Sequence, residues 1–228
     1  MKVGVITFPG SNCDRDLLMA WKGLAGVEAV SLWHKDRDLQ GCDLVCLPGG
    51  FSFGDYLRSG AIARFSPIMQ EVIPFAGKGG WVWGVCNGFQ ILTECGLLPG
   101  ALRRNAGTLF RHHDVHIRLE GWMATATGTP QPNALRLPIA HAEGNFFCTP
   151  DQLKSMEDNQ QILFRYCNFD GDFDDLANPN GSLANIAGIC SPNGRVFALM
   201  PHPERAVDPL CGNTDGQALF VSILNQIK

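Results

Sequence analysis

Cys86 stands between Gly84 and Gly88 in WVWGVCNGFQ, the frame of a nucleophile elbow with a thiol in place of the usual hydroxyl. Such a turn takes a buried strand straight into a helix and crowds the residues two positions either side of its apex, where glycine relieves the clash. The sulfur is expected at the carboxyl edge of a sheet, exposed, beside helix N–H groups and a dipole that favour thiolate over thiol. That is the chemistry of covalent acyl transfer, which also needs a base and a group to orient the base. MPHPE supplies both. Pro203 biases His202 toward an extended backbone, and residues two apart on extended backbone face the same side, so His202 can meet Glu204. Oxyanion donors are available from the backbone N–H of Asn87 and from the Gly49-Gly50-Phe51 corner. A small buried thiol at a tight turn is the competing reading of Cys86 taken alone, and the His202–Glu204 pair weighs against it.

These groups need a scaffold that brings strand ends together. KVGVITF, DLVCLPGG and GGWVWGV are short β-rich runs, apolar on consecutive positions, as strands buried on both faces should be. Helix-length segments separate them, at 14–24 with an acidic first turn and at 62–75 before a glycine stop, which implies parallel pairing with right-handed crossovers. After the helix that ends at Gly96 the pattern changes: TLFRHHDVHIRLEGWMATATG alternates polar and apolar residues, as in a solvent-facing antiparallel pair. RVFALMPHPER reads as a buried strand ending in a proline-framed corner, and DGQALFVSILNQI as a closing amphipathic helix. The expected fold is α/β, three-layered, a mostly parallel sheet flanked by helices with an added antiparallel β segment, in one domain over residues 1–228.

Composition narrows the function classes. A net charge of −4 with no Lys/Arg cluster argues against a nucleic-acid or anionic-membrane surface. The chain has no 18-residue apolar stretch, and Met1-Lys2 runs into VGVITF without a cleavable signal, so a cytoplasmic location is expected. Nine cysteines without a CxxC pair suit neither a disulfide framework nor a zinc ribbon, and Cys46, Cys95, Cys167 and Cys190 read as small hydrophobes. His112, Asp114 and His116 would share a strand face, but a fourth ligand at local spacing is missing, so a solvated face is the better account and no metal is expected. FDGDFDD lacks EF-hand ligand spacing, and no GxxxxGK[ST] loop offers a seat for ATP.

GVCNGFQIL together with PHPE resembles the class I (triad) glutamine amidotransferases, whose G-x-C-x-G-x-Q pattern is met at Gly84, Cys86, Gly88 and Gln90. The longer motifs FPGSNCDRD, LPGGFSFGDYLRSGAIAR, PIAHAEGNFF, FRYC, NPNGSLANIAGI and MPHPERAV look like those of the glutaminase subunits of phosphoribosylformylglycinamidine synthases, from about Val3 to the C-terminus. The resemblance implies a flavodoxin-like fold and glutamine hydrolysis through a γ-glutamyl thioester on Cys86, with His202 as base and then acid and Glu204 orienting it. It implies Gly50 and Asn87 as oxyanion donors and Gln90 as a support of substrate or elbow; Phe51 and Asn105 are further candidate substrate contacts, and His141 with Glu143 forms a second HxE pair expected at substrate-side or interface contacts, with a purely structural role as the competing reading. Ammonia would pass to a large synthetase subunit, joined by a small accessory subunit, that holds ATP and Mg and makes the amidine of formylglycinamide ribonucleotide in purine synthesis. Two stretches depart from the family pattern: Arg111-His112-His113 after Phe110, and Ala142 and Asn145 around Glu143. A redox-sensing module on the same elbow is the alternative from another class, opposed by the intact PHPE; a glutaminase serving another acceptor is opposed by the longer motifs.

Overall fold

The three apolar runs become strands β1 (Lys2–Thr7), β3 (Leu44–Leu47) and β4 (Trp81–Val85), joined by α1 (Asp14–Lys22), β2 (Glu28–Trp33) and α2 (Met69–Gly77), with α3 (Asn87–Glu94) after β4. The computed structural model describes residues 1–126 and 134–227. It resolves into two units, Met1–Leu98 with Arg195–Ala198, and Pro99–Gly194 with Leu199–Lys228.

In the first unit β1 pairs in parallel with β2 and β3, and β3 in parallel with β4. All four residues of β3 are buried, and so is β4 from Val82 onward, which accounts for their unbroken apolar sequence. Strand β2 has only Leu32 buried, so EAVSLW carries no run that sequence reading could catch. The helix expected over 62–75 is instead a 3-10 turn, Ala63–Phe65, followed by α2. Ser66, with ψ 145°, leaves the helical region because Pro67 follows it. Trp21 and Trp83, both fully buried, meet edge to face at 5.9 Å between ring centres and anchor α1 to the sheet.

The second unit holds β5 (Ala101–Arg103), β6 (Arg111–Leu119), α4 (Gly121–Thr125), β7 (Leu135–His141), β8 (Asn145–Phe147), α5 (Pro150–Asp158), β9 (Ile162–Cys167) and β10 (Ile186–Cys190). Its pairings are antiparallel: β6 with β7 and β9, β9 with β10, and β5 with β8. The chain then runs through β11 (Val196–Leu199), which supplies the first unit up to Ala198, and ends in α6 (Gly216–Ile227) of the second. Parallel pairing therefore belongs to the first unit, and the expected antiparallel addition to the second. The alternating segment from Thr108 is strand only to Leu119; its next residues form α4, and its last two, 127 and 128, lie outside the described residues. Among the described residues no helix is long and apolar enough to cross a membrane.

Candidate active site

Cys86 has φ 50° and ψ −104°, a left-handed conformation that a side chain adopts at a cost of about 1–3 kcal/mol and that strand-to-helix elbows impose on their apex. The flanking glycines are needed for room. A Cβ on Gly84 would lie 2.7 Å from the carbonyl carbon of Gly88, and one on Gly88 would lie 2.0 Å from the carbonyl oxygen of Leu47 in β3. The helix ladder begins with Phe89 and Gln90 donating to Cys86 O at 2.9 and 3.2 Å, so the Asn87 N–H precedes the ladder, as an oxyanion donor must.

The expected exposure of the sulfur is corrected by the structure: Cys86 is only 3% accessible. A local reason is visible in the first unit. The Ser52 N–H donates to Asn87 Oδ1 at 3.1 Å, and Asn87 Nδ2 donates to Gln90 Oε1 at 2.8 Å, which draws the loop after β3 onto the first turn of α3. Gln90 thus supports the elbow through Asn87. Sequence reading assigned Asn87 a backbone role and missed its side chain.

The corner after β3 separates its two candidate donors. Phe51 is already committed, its N–H donating to Gly10 O at 2.8 Å, so Phe51 is withdrawn as an oxyanion donor and Gly50 keeps that assignment. Gly50 has φ 133°, and a Cβ there would sit 2.7 Å from Asn12 N and Gly10 O, so only glycine fits. The FPGSN loop that backs this corner was read as a motif without a role; Gly10, at φ 86° and pressed against Phe51 O, was the signal.

In the second unit His202 and Glu204, 1% and 4% exposed, meet as expected: His202 Nδ1 donates to Glu204 Oε1 at 2.6 Å. A carboxylate on Nδ1 fixes the tautomer and orientation of the ring and assigns proton transfer to Nε2. The backbone is held as well, with the His202 N–H on Pro138 O at 2.8 Å.

Asn105 and His141 also come together in this unit, with Asn105 Oδ1 3.1 Å from His141 Nδ1 and Asn105 Nδ2 donating to the carbonyls of Leu109 and His141. The NPNGS turn braces the next loop, where Asn180 Nδ2 and Ser182 Oγ both donate to Gly144 O. Burial, reinforced by the neighbouring charge of His202, pushes the His141 imidazole down to about 3 from 6.5. A depressed histidine loses stability on the acid side. Between those values the unfolded chain binds the extra proton, so stability falls with pH by up to about 1.4 kcal/mol per unit below the unfolded value. Urea unfolding at pH 7 and pH 5 should show a loss larger in the natural chain than in His141→Gln by on the order of 1–2 kcal/mol, the part that remains including His34, whose pKa burial also lowers.

The remaining features are structural. His112, His113 and Asp114 are exposed on β6, and Asp114 pairs with Arg136 at 3.5 Å, as a solvated strand face requires. Asn168 Oδ1 gathers the N–H groups of Asp170 and Asp172 in the acidic loop. Burial pushes the thiols of Cys167 and Cys190 up to about 11 and that of Cys95 up to about 12, which leaves them inert.

Comparison with known proteins gives this geometry its family. A protein-family model described as a CobB/CobQ-like glutamine amidotransferase domain matches residues 1–219. Phosphoribosylformylglycinamidine synthase subunit PurQ of Chlorobium luteolum is 53% identical over 226 residues, covering 99% of this chain and 98% of its own length. The subunit of the same name from a Synechocystis species is 54% identical over 220 residues, covering 96% and 98%. A chain in the structure of PurLQS from Thermotoga maritima is 39% identical, with a TM-score of 0.85 over 100% of this chain and 99% of that one. A Thermotoga maritima glutamine amidotransferase, 16% identical with a TM-score of 0.63, shares the fold. The chain belongs to the CobB/CobQ-like glutamine amidotransferases, in the branch formed by the glutaminase subunits of phosphoribosylformylglycinamidine synthase.

Proposed function

We propose that the chain hydrolyses L-glutamine to glutamate and ammonia and delivers the ammonia to a synthetase subunit that converts formylglycinamide ribonucleotide to its amidine in purine biosynthesis. Cys86 Sγ attacks the carboxamide carbon while His202 takes the thiol proton. The oxyanion that forms meets the N–H groups of Gly50 and Asn87. His202 then returns the proton to the leaving nitrogen, and ammonia departs from a γ-glutamyl thioester. Water, deprotonated by the same imidazole, cleaves the thioester and frees glutamate and the thiol. Glu204 stabilises the imidazolium in both halves.

The observation that carries this reading is the strained elbow. Other non-glycine residues have positive φ, Phe53 and Ala184 among them with ψ near 30°, but at Cys86 φ 50° comes with ψ −104°, outside the left-handed helical well, a conformation kept only where it is over-determined. The buried His202–Glu204 pair supports it, as do full-length relatives named as PurQ subunits. In this reading the two units act as one glutaminase domain over residues 1–228, in the cytoplasm. ATP and Mg belong to the large synthetase subunit, which assembles with this chain and a small accessory subunit.

Reconstitution tests the proposal. The chain mixed with its cognate synthetase and accessory subunits, ATP, Mg and formylglycinamide ribonucleotide should form the amidine when given glutamine. If ammonia sustains amidine formation and glutamine does not, the proposal fails.

A further inference from the structure

His141 carries more than its place in a hydrogen-bonded knot. Asn105 Nδ2 donates to Leu109 O at 2.9 Å and to His141 O at 2.8 Å, which fixes the orientation of the amide. Its Oδ1 is therefore the acceptor, and it takes the Gly144 N–H at 2.9 Å. His141 Nδ1, 3.1 Å from that same oxygen, must then carry the ring proton. The lone pair of the neutral imidazole is left on Nε2. That nitrogen is enclosed in a side chain 3% exposed, and among the described residues it has no hydrogen-bond partner. The ring has little freedom to turn away, since a Cβ on the facing Gly144 would already lie 2.3 to 2.6 Å from its atoms.

An enclosed acceptor without a donor costs about 1–3 kcal/mol, so its retention calls for a ligand that brings the donor. The neighbourhood says which. His141 ends β7, three residues after the Pro138 carbonyl that holds the His202 backbone, and the charge of His202 is felt at the His141 ring. In the glutaminase reading, on which this inference rests, the group that comes to His202 is the carboxamide nitrogen of the substrate. We propose that His141 is a specificity-determining residue: its Nε2 accepts a hydrogen bond from the carboxamide N–H of glutamine and turns away the carboxylate of glutamate. A carboxylate offers lone pairs only, and His141, held neutral by burial, gains no proton with which to meet them at neutral pH. The same contact that selects the amide substrate thus promotes departure of the acid product.

The test is the ratio of two affinities. In the assembled enzyme, KM for glutamine and the inhibition constant of glutamate are measured for the natural chain, His141→Leu and His141→Gln. Leucine removes the acceptor and should raise KM for glutamine by about tenfold or more while glutamate binds as before or more tightly. Glutamine at position 141 can turn either a C=O or an N–H toward the ligand, so it should tighten glutamate inhibition several-fold, a gain that misfolding cannot imitate. Parallel changes for glutamine and glutamate would assign Nε2 to a group the two share, such as the α-ammonium, and would overturn the proposal; an unchanged ratio in both variants would also overturn it. Glutamine turnover by the natural chain tests the glutaminase reading separately, so the two can fail independently.

Discussion

Cys86→Ala should lower glutamine-dependent turnover of the assembled enzyme by about four to six orders of magnitude, while turnover supported by added ammonia continues. Without the sulfur no thioester forms, and the oxyanion donors and the His202–Glu204 pair have no nucleophile to serve. An electrophilic ketone analogue of glutamine should add its mass to Cys86 in the natural chain and to nothing in the variant. Retained glutamine turnover in Cys86→Ala would remove the cysteine from the mechanism. A companion variant reports on strain. Cys86→Gly puts at φ 50° the residue that tolerates it, so it should unfold at higher urea, by about 1 kcal/mol, while being just as inactive. A variant that is both dead and more stable is the signature of a backbone held strained for chemistry.

Gly88→Ala should cost several kcal/mol of stability and lower Tm by about 10 °C or more, with loss of turnover in what remains folded. The added methyl would sit 2.0 Å from Leu47 O and 2.8 Å from Leu47 C, which are backbone atoms at the carboxyl end of the buried strand β3. Relief requires α3 to move away from β3, and that movement carries Cys86 and the Asn87 N–H with it. Gly77→Ala is the control, because a Cβ at Gly77, the last residue of α2, meets nothing within 4 Å. It should be neutral or slightly stabilising. Thermal unfolding of the two variants side by side separates the cost of the elbow from the general cost of replacing glycine. Equal, small shifts would mean that the close approach of α3 to β3 is dispensable.

The legible parts of the molecule were those where one physical demand writes several residues at once. Burial on both faces wrote VGVIT, LVCL and WVWGV, and the elbow wrote glycines two positions either side of its cysteine. Two prolines framed His202 and Glu204, and the contact between them followed. What stayed hidden was written in single residues or in partners far along the chain. Strand β2 is half exposed and shows no pattern, the commitment of the Phe51 N–H depends on Gly10 some forty residues earlier, and the tautomer of His141 is set by Asn105. The enclosure of Cys86 was misjudged because a turn motif describes the backbone beneath the sulfur, whereas the covering loop is pinned by the side chain of Asn87.

The strand β11 imposes an order on biosynthesis. Val196–Ala198 lie beside β4 in the first unit, with the Val82 N–H on Arg195 O at 2.9 Å and Phe197 stacked on Trp83. A ribosome that has made the first hundred residues has therefore made a sheet with one side unfinished, and the unfinished side is WVWGV, apolar, rich in β-formers and uncharged. That edge waits for nearly another hundred residues before its neighbour arrives, a delay in which pairing with another nascent chain competes with folding. The elbow stands at the end of that same strand, so the nucleophile acquires its final setting only when synthesis is almost complete.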